Sequence, residues 1–364
     1  MKLDPSQPDR WPDAKTPYEA EALAFCRVWL SGQTTFLVHT SGSTGTPKPI
    51  QLTRAQMRVS AHLTGKILGL QAGDAALVCL NVRYVAGVMM LVRGLELGLP
   101  MTIVEPSSNP LHGFNSVTDR FAFTALVPLQ LKTILETNTL TILPNQLKIL
   151  NGMKAILVGG AATSAALEQA LQPITAPVYA TYGMTETVSH IALRRLNGPD
   201  ASDLFTALDG VTVGVDERGC LYITSAATNF ERVQTNDVVN LLDARHFRLL
   251  GRADRVINSG GVKVQPEQVE QLIEQVFANR NEPLPRFFVT SLPDERLGQR
   301  VVLVYEQGEN RPAITPDAWV AAQDAIRQQL GPYFLPKELL AVNQFAQTPT
   351  GKIDQKATLT KFSL

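Results

Sequence analysis

Short apolar runs alternate with amphipathic stretches of helical length from Phe36 to about Tyr182, and few architectures accommodate that alternation. The runs FLVHT, AALVCL (75–80), MTIVE (101–105), KAILVGG (154–160) and VYATY (178–182) read as strands. Between them, RAQMRVSAHLTGKILGL (54–70), AGVMMLVRGLELG (86–98) and SAALEQALQ (164–172) read as helices. Strands separated by helices of this length imply an α/β fold with a mainly parallel sheet and helices on its faces. Ligands of such sheets bind beyond the carboxyl ends of the strands. Two unusual segments, HTSGSTGTPK and YGMTET, directly follow strand candidates, so both are expected to face one crevice.

The pattern changes twice further on. Over about 205–250, short runs such as VTVGV and CLYIT, punctuated by Gly and Asp, read as a small antiparallel β subdomain. Beyond it, PEQVEQLIEQVF (266–277) reads as a helix with Pro266 in its first turn, followed by strands RFFVTS and RVVLVYE and a helix over about 316–330. The boundary is placed at Gly251–Asp254, giving a large domain over 1–251 and a small α+β domain over 252–364.

Composition excludes several function classes. With 33 basic and 33 acidic side chains the formal charge is zero, which makes no electrostatic case for a nucleic-acid or anionic-membrane partner. No run of about 18 apolar residues suggests a membrane span, and the polar, proline-rich start MKLDPSQPDRWPDAKTP lacks a secretory apolar region. Cys26, Cys79 and Cys220 are odd in number and far apart, which argues against a disulfide framework or a zinc site. The chain is expected to be a reduced, cytoplasmic protein. Its oligomeric state stays open, a homodimer included.

The run Thr40, Ser41, Gly42, Ser43, Thr44, Gly45, Thr46, closed by Pro47-Lys48-Pro49, offers nothing apolar to bury. It reads either as a structural surface loop or as a loop that wraps a polyphosphate. The second reading has a physical basis. The glycines allow close backbone approach, the hydroxyls donate, and Lys48 supplies a mobile charge. The Walker spacing G-x-x-x-x-G-K-[ST] is absent.

HTSGSTGTPKPI resembles the phosphate loop of the acyl-adenylate-forming enzymes, the superfamily of acyl-CoA synthetases, peptide-synthetase adenylation domains and luciferases. Four further segments resemble that superfamily's motifs in the same order: YGMTET (182–187), TND (235–237), GRADRVINSGGVKV (251–264) and TPTGKID (348–354). The resemblance covers about Phe36 to the C-terminus. It implies that a carboxylic acid attacks the α-phosphate of ATP, and that the resulting acyl adenylate then meets a thiol. ATP and Mg2+ are the implied cofactors, with CoA and a small carboxylic acid as co-substrates. It also implies roles: Glu186 for magnesium, Thr185 for the α-phosphate, Tyr182, Gly183, Gly160 and Ala161 along the adenine and acyl pocket, and Asp237 and Arg252 for the ribose. Asp254 takes the hinge position, and Lys352 takes that of the lysine that stabilises charge during adenylation.

The chain departs from the pattern in three ways. Most of the superfamily's subdomain ahead of the phosphate loop is missing, Asn236 replaces a glycine, and Arg255 stands where many relatives have a second acid. RYVAGVMMLVRGLE, with Tyr84 at the superfamily's gate position, and YGMTETVSHIALR look like the o-succinylbenzoate–CoA ligases of menaquinone biosynthesis. Their substrate keeps one carboxylate free, and a desolvated carboxylate needs a donor or cation. The candidates are Arg83, Tyr84, Ser189, His190 and Arg194. His190 is favoured, because a helical turn from Glu186 would put both on one face. Two other readings remain: loading of an acid onto a carrier-protein thiol, and a nucleotide-binding module without turnover.

Overall fold

The computed structural model describes residues 1–39, 49–139, 144–308, 312–347 and 353–362. A 12-stranded sheet organises the first part of the chain. Its spatial order begins Lys2–Leu3, Met101–Ile103, Ala76–Val78, Phe123–Leu126, Ala155–Val158 and Val178–Gly183. From Met101–Ile103 through Val178–Gly183 neighbouring strands run parallel. Their central members, Ala76–Val78, Phe123–Leu126 and Ala155–Val158, are buried at every position, which is why the sequence shows continuous apolar runs there. Val78, Phe123, Ala125 and Leu157 pack into one apolar cluster, and Leu77, Leu126, Ile156 and Val158 into another, one on each face.

The expected antiparallel strands continue this same sheet. His190–Arg195 pairs antiparallel with Val178–Gly183, and Phe205–Ala207, His246–Arg252, Val233–Leu241, Cys220–Thr224 and Thr212–Val215 follow in space. The FLVHT run differs from expectation. Thr35–His39 stays out of the large sheet and pairs antiparallel with Pro49–Thr53 in a two-stranded hairpin. Its burial alternates, with Phe36 and Val38 inside and Leu37 65% exposed, so it covers helices on one side and faces solvent on the other.

Local signals set the helices. Thr16 accepts a hydrogen bond from Glu19 N ahead of the helix Pro17–Leu30, which occupies a stretch the sequence reading left unassigned. Thr53 and Gln56 form a reciprocal capping box at the start of Arg54–Leu68, and Gly69 closes that helix in the left-handed conformation. Gly98 closes Val85–Leu97 in the same way. Glu96 ties these three helices together, accepting from Trp29 Nε1 at 2.9 Å and from Arg58 Nε at 2.8 Å.

The large mixed α/β domain with a small α+β domain is the fold observed. In the small domain, Val262–Val264, Ile257–Ser259, Gly298–Glu306, Phe287–Asp294 and Glu338–Val342 form a five-stranded sheet. Helices Pro266–Asn279 and Pro316–Gln329 cover one face, and Gln355–Lys361 packs with Phe288, Val304, Val342 and Phe345 on the other. No helix among the described residues is long and apolar enough to cross a membrane.

The two domains touch where the helix Ala165–Ala170 meets Pro266–Asn279. Gln169 Nε2 donates to Asn279 Oδ1 at 3.1 Å, and the Glu274 carboxylate accepts from the Ala165 amide. Burial, reinforced by the charges of Glu270 and Glu168, pushes the Glu274 carboxyl up to about 7. The docked form therefore binds a proton that a solvated glutamate releases near 4.5. Docking is strongest at low pH and weakens as pH rises through that window. Interdomain distances read by energy transfer between labels on the two domains should lengthen from about pH 5 to about pH 8. Glu274→Gln should abolish the change; a wild-type distance that ignores pH would dismiss the link.

Candidate active site

The site lies where the sheet changes from parallel to antiparallel. Gly159, Gly160 and Ala161 follow the strand Ala155–Val158, and a Cβ on Gly159 would sit 2.2 Å from Thr181 Oγ1, so a side chain there would displace that hydroxyl. Gly160 adopts φ 83°, the left-handed region. Val178–Gly183 then runs out, and the chain turns back through Met184–Ser189 into His190–Arg195.

That turn corrects the helical expectation for Glu186–His190. Thr185–Thr187 is a single 3-10 turn, Val188 leaves it at φ 67°, and His190 begins a strand. Thr187 Oγ1 closes the turn, contacting Met184 N at 3.0 Å and donating toward Ser189 O at 2.8 Å. A valine at positive φ costs on the order of 1–3 kcal/mol, and its complete burial beside Ala227 holds it there. The outcome separates the two residues. Glu186 is exposed and has no ion-pair partner among the described residues, while His190 is buried.

Tyr182, Asp237, Arg252 and Asp254 form a polar chain at the far side of this turn. Asp237 and Arg252 face each other across paired strands. Asp237 Oδ2 accepts from the Tyr182 hydroxyl at 2.6 Å and Oδ1 from Arg252 Nη1 at 3.2 Å. Tyr182 is buried edge-on against Phe247, and that burial, with the Asp237 charge, raises its phenol well above the ordinary value. Arg252 also grips Asp254 through two contacts, at 2.9 and 2.8 Å. Arg255 turns to the small domain instead, meeting Glu267 at 2.9 Å and Glu270 at 2.8 Å.

The expected acid contacts separate into two groups. Arg83 is exposed and ion-paired with Glu21, and Arg194 is paired with Glu168 at 2.5 Å on the strand His190–Arg195, so both are already committed. Tyr84 sits at the start of Val85–Leu97, bridged to His39. Ser189 and His190, by contrast, meet a residue that the sequence reading missed. Arg93 is 2% exposed, donates from Nε to Thr64 Oγ1 at 3.2 Å and from Nη2 to Ser189 Oγ at 2.7 Å. His190 Nε2 lies 3.1 Å from Thr64 Oγ1, and Nδ1 lies 3.4 Å from Ser189 Oγ.

One proton arrangement satisfies this ring. Thr64 donates to Ser60 O at 3.0 Å, leaving its lone pairs for Arg93 and for a proton on His190 Nε2. His190 Nδ1 then accepts from Ser189, whose oxygen accepts from Arg93. Burial and then the Arg93 charge hold His190 well below the usual histidine value, so it stays neutral as the ring requires. Burial pulls the Arg93 guanidinium down to about 9, still charged at neutral pH, and no carboxylate among the described residues pairs with it. A lone cation in the apolar run VAGVMMLVRGLEL was the signal available in the sequence. The phosphate-loop candidates Thr40, Ser41, Gly42, Ser43, Thr44, Gly45, Thr46 and Lys48, and Lys352, lie outside the described residues. A cavity of about 430 Å³ opens at the Lys2–Leu3 edge of the sheet beside Trp11 and Arg120, lined by none of Tyr182, Asp237, Arg93 and His190.

The family of AMP-binding enzymes matches residues 6–214. The chain belongs to the acyl-adenylate-forming superfamily. A solved acyl-CoA synthetase (AMP-forming)/AMP-acid ligase II-like protein from Dyadobacter fermentans is 44% identical, with a TM-score of 0.66 over 99% of both chains. A probable 2-succinylbenzoate–CoA ligase of Mycobacterium tuberculosis is 28% identical over 90% of this chain and 84% of its own. The o-succinylbenzoate CoA synthetase of Bacillus subtilis, in complex with its acyl-adenylate intermediate, shares the fold at a TM-score of 0.69 and 19% identity, covering 88% of this chain and 68% of that one. AMP-forming ligase activity of the acyl-CoA synthetase family follows from that membership.

The turn itself is testable. A Cβ at Gly183 would lie 2.2 Å from Ser189 O and 2.6 Å from His190 Cα, both backbone atoms that cannot swing aside. Gly183→Ala should lower the denaturant midpoint by the equivalent of about 1–3 kcal/mol and slow adenylate formation as well. An unshifted midpoint would mean that the turn relaxes freely.

Proposed function

We propose that the chain is an ATP-dependent acid–CoA ligase whose acid carries a second, unreacted carboxylate, with o-succinylbenzoate as the favoured substrate. The observation that carries this reading is Arg93, a buried cation with hydrogen-bond donors to spare and no carboxylate beside it among the described residues. An unpaired buried charge is costly, and a ligand anion that pairs with it regains much of that cost. The ligase names of the Mycobacterium and Bacillus relatives supply the particular diacid.

In this reading the reacting carboxylate oxygen attacks the α-phosphorus of ATP and the bond to the β-phosphate oxygen breaks, releasing pyrophosphate. Thr185, 6% exposed in the turn, is assigned to the α-phosphate, and Lys48 with the hydroxyls of 40–46 to the outer phosphates. Asp237 accepts from the ribose hydroxyls, with Arg252 beside it. The exposed, unpaired Glu186 carboxylate suits a hard divalent cation held jointly with phosphate oxygens, and Mg2+ there would supply charge neutralisation. Lys352 is assigned to the charge that develops during attack. The CoA sulfur then attacks the acyl carbon, AMP leaves, and the thiol proton passes to solvent. Asp254 is the proposed pivot between the two half-reactions, and the domain limits 1–251 and 252–364 follow from it.

Pyrophosphate release should be fastest with o-succinylbenzoate among simple benzoates, fatty acids and amino acids, and a CoA thioester should accumulate. In Arg93→Gln the KM for the diacid should rise by about 10- to 100-fold, the loss expected for a charged hydrogen bond. KM for ATP and turnover of a monoacid benzoate should change little. Equal losses with mono- and diacid would return Arg93 to a structural role.

A further inference from the structure

The pairing of Cys220–Thr224 with Val233–Leu241 is interrupted beside the candidate site. Cys220 faces Val238 and Tyr222 faces Gln234, so Leu221 alone lies opposite Thr235, Asn236 and Asp237. A bulge of this kind breaks the ladder and re-aims side chains on the longer strand. Thr235, 5% exposed, closes the gap with its own side chain. Its hydroxyl donates to Leu221 O at 2.7 Å and accepts from Asp237 N at 3.0 Å. One atom thus ties the shorter strand to the residue whose carboxylate meets Tyr182 and Arg252. Asn236 is exposed and accepts from Arg218 Nη1 at 3.2 Å, which holds the bulge from its solvent side.

We propose that Thr235 is a positioning residue for nucleotide recognition, its hydroxyl fixing the bulge that presents the Asp237 carboxylate to a ribose diol. This rests on the assignment of Asp237 to the ribose given above. A carboxylate offers about four lone-pair positions. Tyr182 takes one on Oδ2 and Arg252 takes one on Oδ1, so each oxygen keeps an acceptor position. One position on each oxygen matches a pair of vicinal hydroxyls, and a 2′-deoxyribose leaves one of them unused. The match depends on where the carboxylate sits, because hydrogen bonds weaken steeply away from their preferred angles. Tyr182 and Arg252 hold the end of the Asp237 side chain, and Thr235 holds its backbone. Without the hydroxyl, Asp237 N loses this acceptor, Leu221 O loses this donor, and the bulge is free to settle with the carboxylate elsewhere.

The test titrates the full chain with AMP and with 2′-deoxy-AMP by calorimetry, which requires no acid substrate. The wild-type chain should bind AMP about tenfold more tightly than 2′-deoxy-AMP, as expected for one hydrogen bond to a charged group. In Thr235→Val the affinity for AMP should fall by about tenfold and that for 2′-deoxy-AMP by much less, so the preference shrinks. Thr235→Ser should restore it, and Thr235→Ala carries the same prediction as valine if the valine variant does not fold. Asp237→Ala should remove the preference altogether, and the double variant should bind AMP no more weakly than Asp237→Ala. A loss in Thr235→Val that is equal for the two nucleotides, or an additive double variant, would overturn the inference. Wild-type affinity and preference in Thr235→Val, with both lost in Asp237→Ala, would defeat the inference and leave the ribose reading standing. A preference that survives in Asp237→Ala would remove the ribose reading itself, and the inference with it.

Discussion

The reversal of strand direction between Val178–Gly183 and His190–Arg195 is the constraint on which the site depends. A parallel sheet that continued would carry its next strand away over a helix. Here the chain returns at once, and everything between Met184 and Ser189 must fit into that return. Gly183 makes room for the returning backbone, and Val188 accepts an unfavourable φ because its side chain is sealed against Ala227. The same geometry sorts the functional groups by direction. Glu186 is exposed, and Ser189 and His190 point inward toward Arg93. Because pairing resumes immediately, the antiparallel strands extend the sheet and bring Asp237 within reach of Tyr182.

Arg93 shows how a fold can hold a buried charge with no carboxylate beside it among the described residues. A buried guanidinium without a counter-ion would be prohibitive if its N–H groups were also unsatisfied. The Thr64 and Ser189 oxygens relieve part of that cost, and His190 contributes by staying neutral. A protonated His190 would add a second positive charge and would also lose its acceptor at Nδ1, breaking the ring. The neutral ring therefore orients the guanidinium without setting a second positive charge beside it. A carboxylate on the protein in that place would stabilise the empty fold and close the site to an anion.

Legibility from sequence followed the range of the interactions. The strands Ala76–Val78 and Ala155–Val158 were visible because burial on both faces writes a continuous apolar run, whereas the capped helix Pro17–Leu30 was not visible. Thr35–His39 was placed in the wrong sheet because a half-exposed hairpin strand is also apolar at its buried positions. The spacing of four between Glu186 and His190 fits a helix equally well. Only the adjoining strand pairing, which is tertiary, forces the turn instead. The pairing of Arg83 with Glu21 and of Arg194 with Glu168 joins residues far apart in the chain, as does the convergence of Arg93, Thr64 and His190. No periodicity encodes such meetings. The resemblance of RYVAGVMMLVRGLE took in Arg93 without giving it a role, because its meeting with Thr64 and Ser189 is tertiary.

The polar groups around Asp254 follow a complementary rule. Arg252 and Asp254 are each close to half exposed, 44% and 47%, and a pair that wet contributes about 0–1 kcal/mol. Arg255, one residue further, is only a quarter exposed and is held by two glutamates of the helix Pro266–Asn279 and by Val289 O. The large domain therefore holds the chain up to Arg252 through Asp237, and the small domain holds it from Arg255 onward. Only Ala253 and Asp254 lie between the two anchors. A rotation there would give up the wet Arg252–Asp254 contact together with the Gln169–Asn279 and Glu274–Ala165 contacts, whereas a rotation beyond Arg255 would also dismantle a partly buried network. The arginine that replaces the superfamily's second acid thus ties its own position to the small domain. The costlier interactions surround Arg93 and Arg255, and the least costly one joins Arg252 to Asp254.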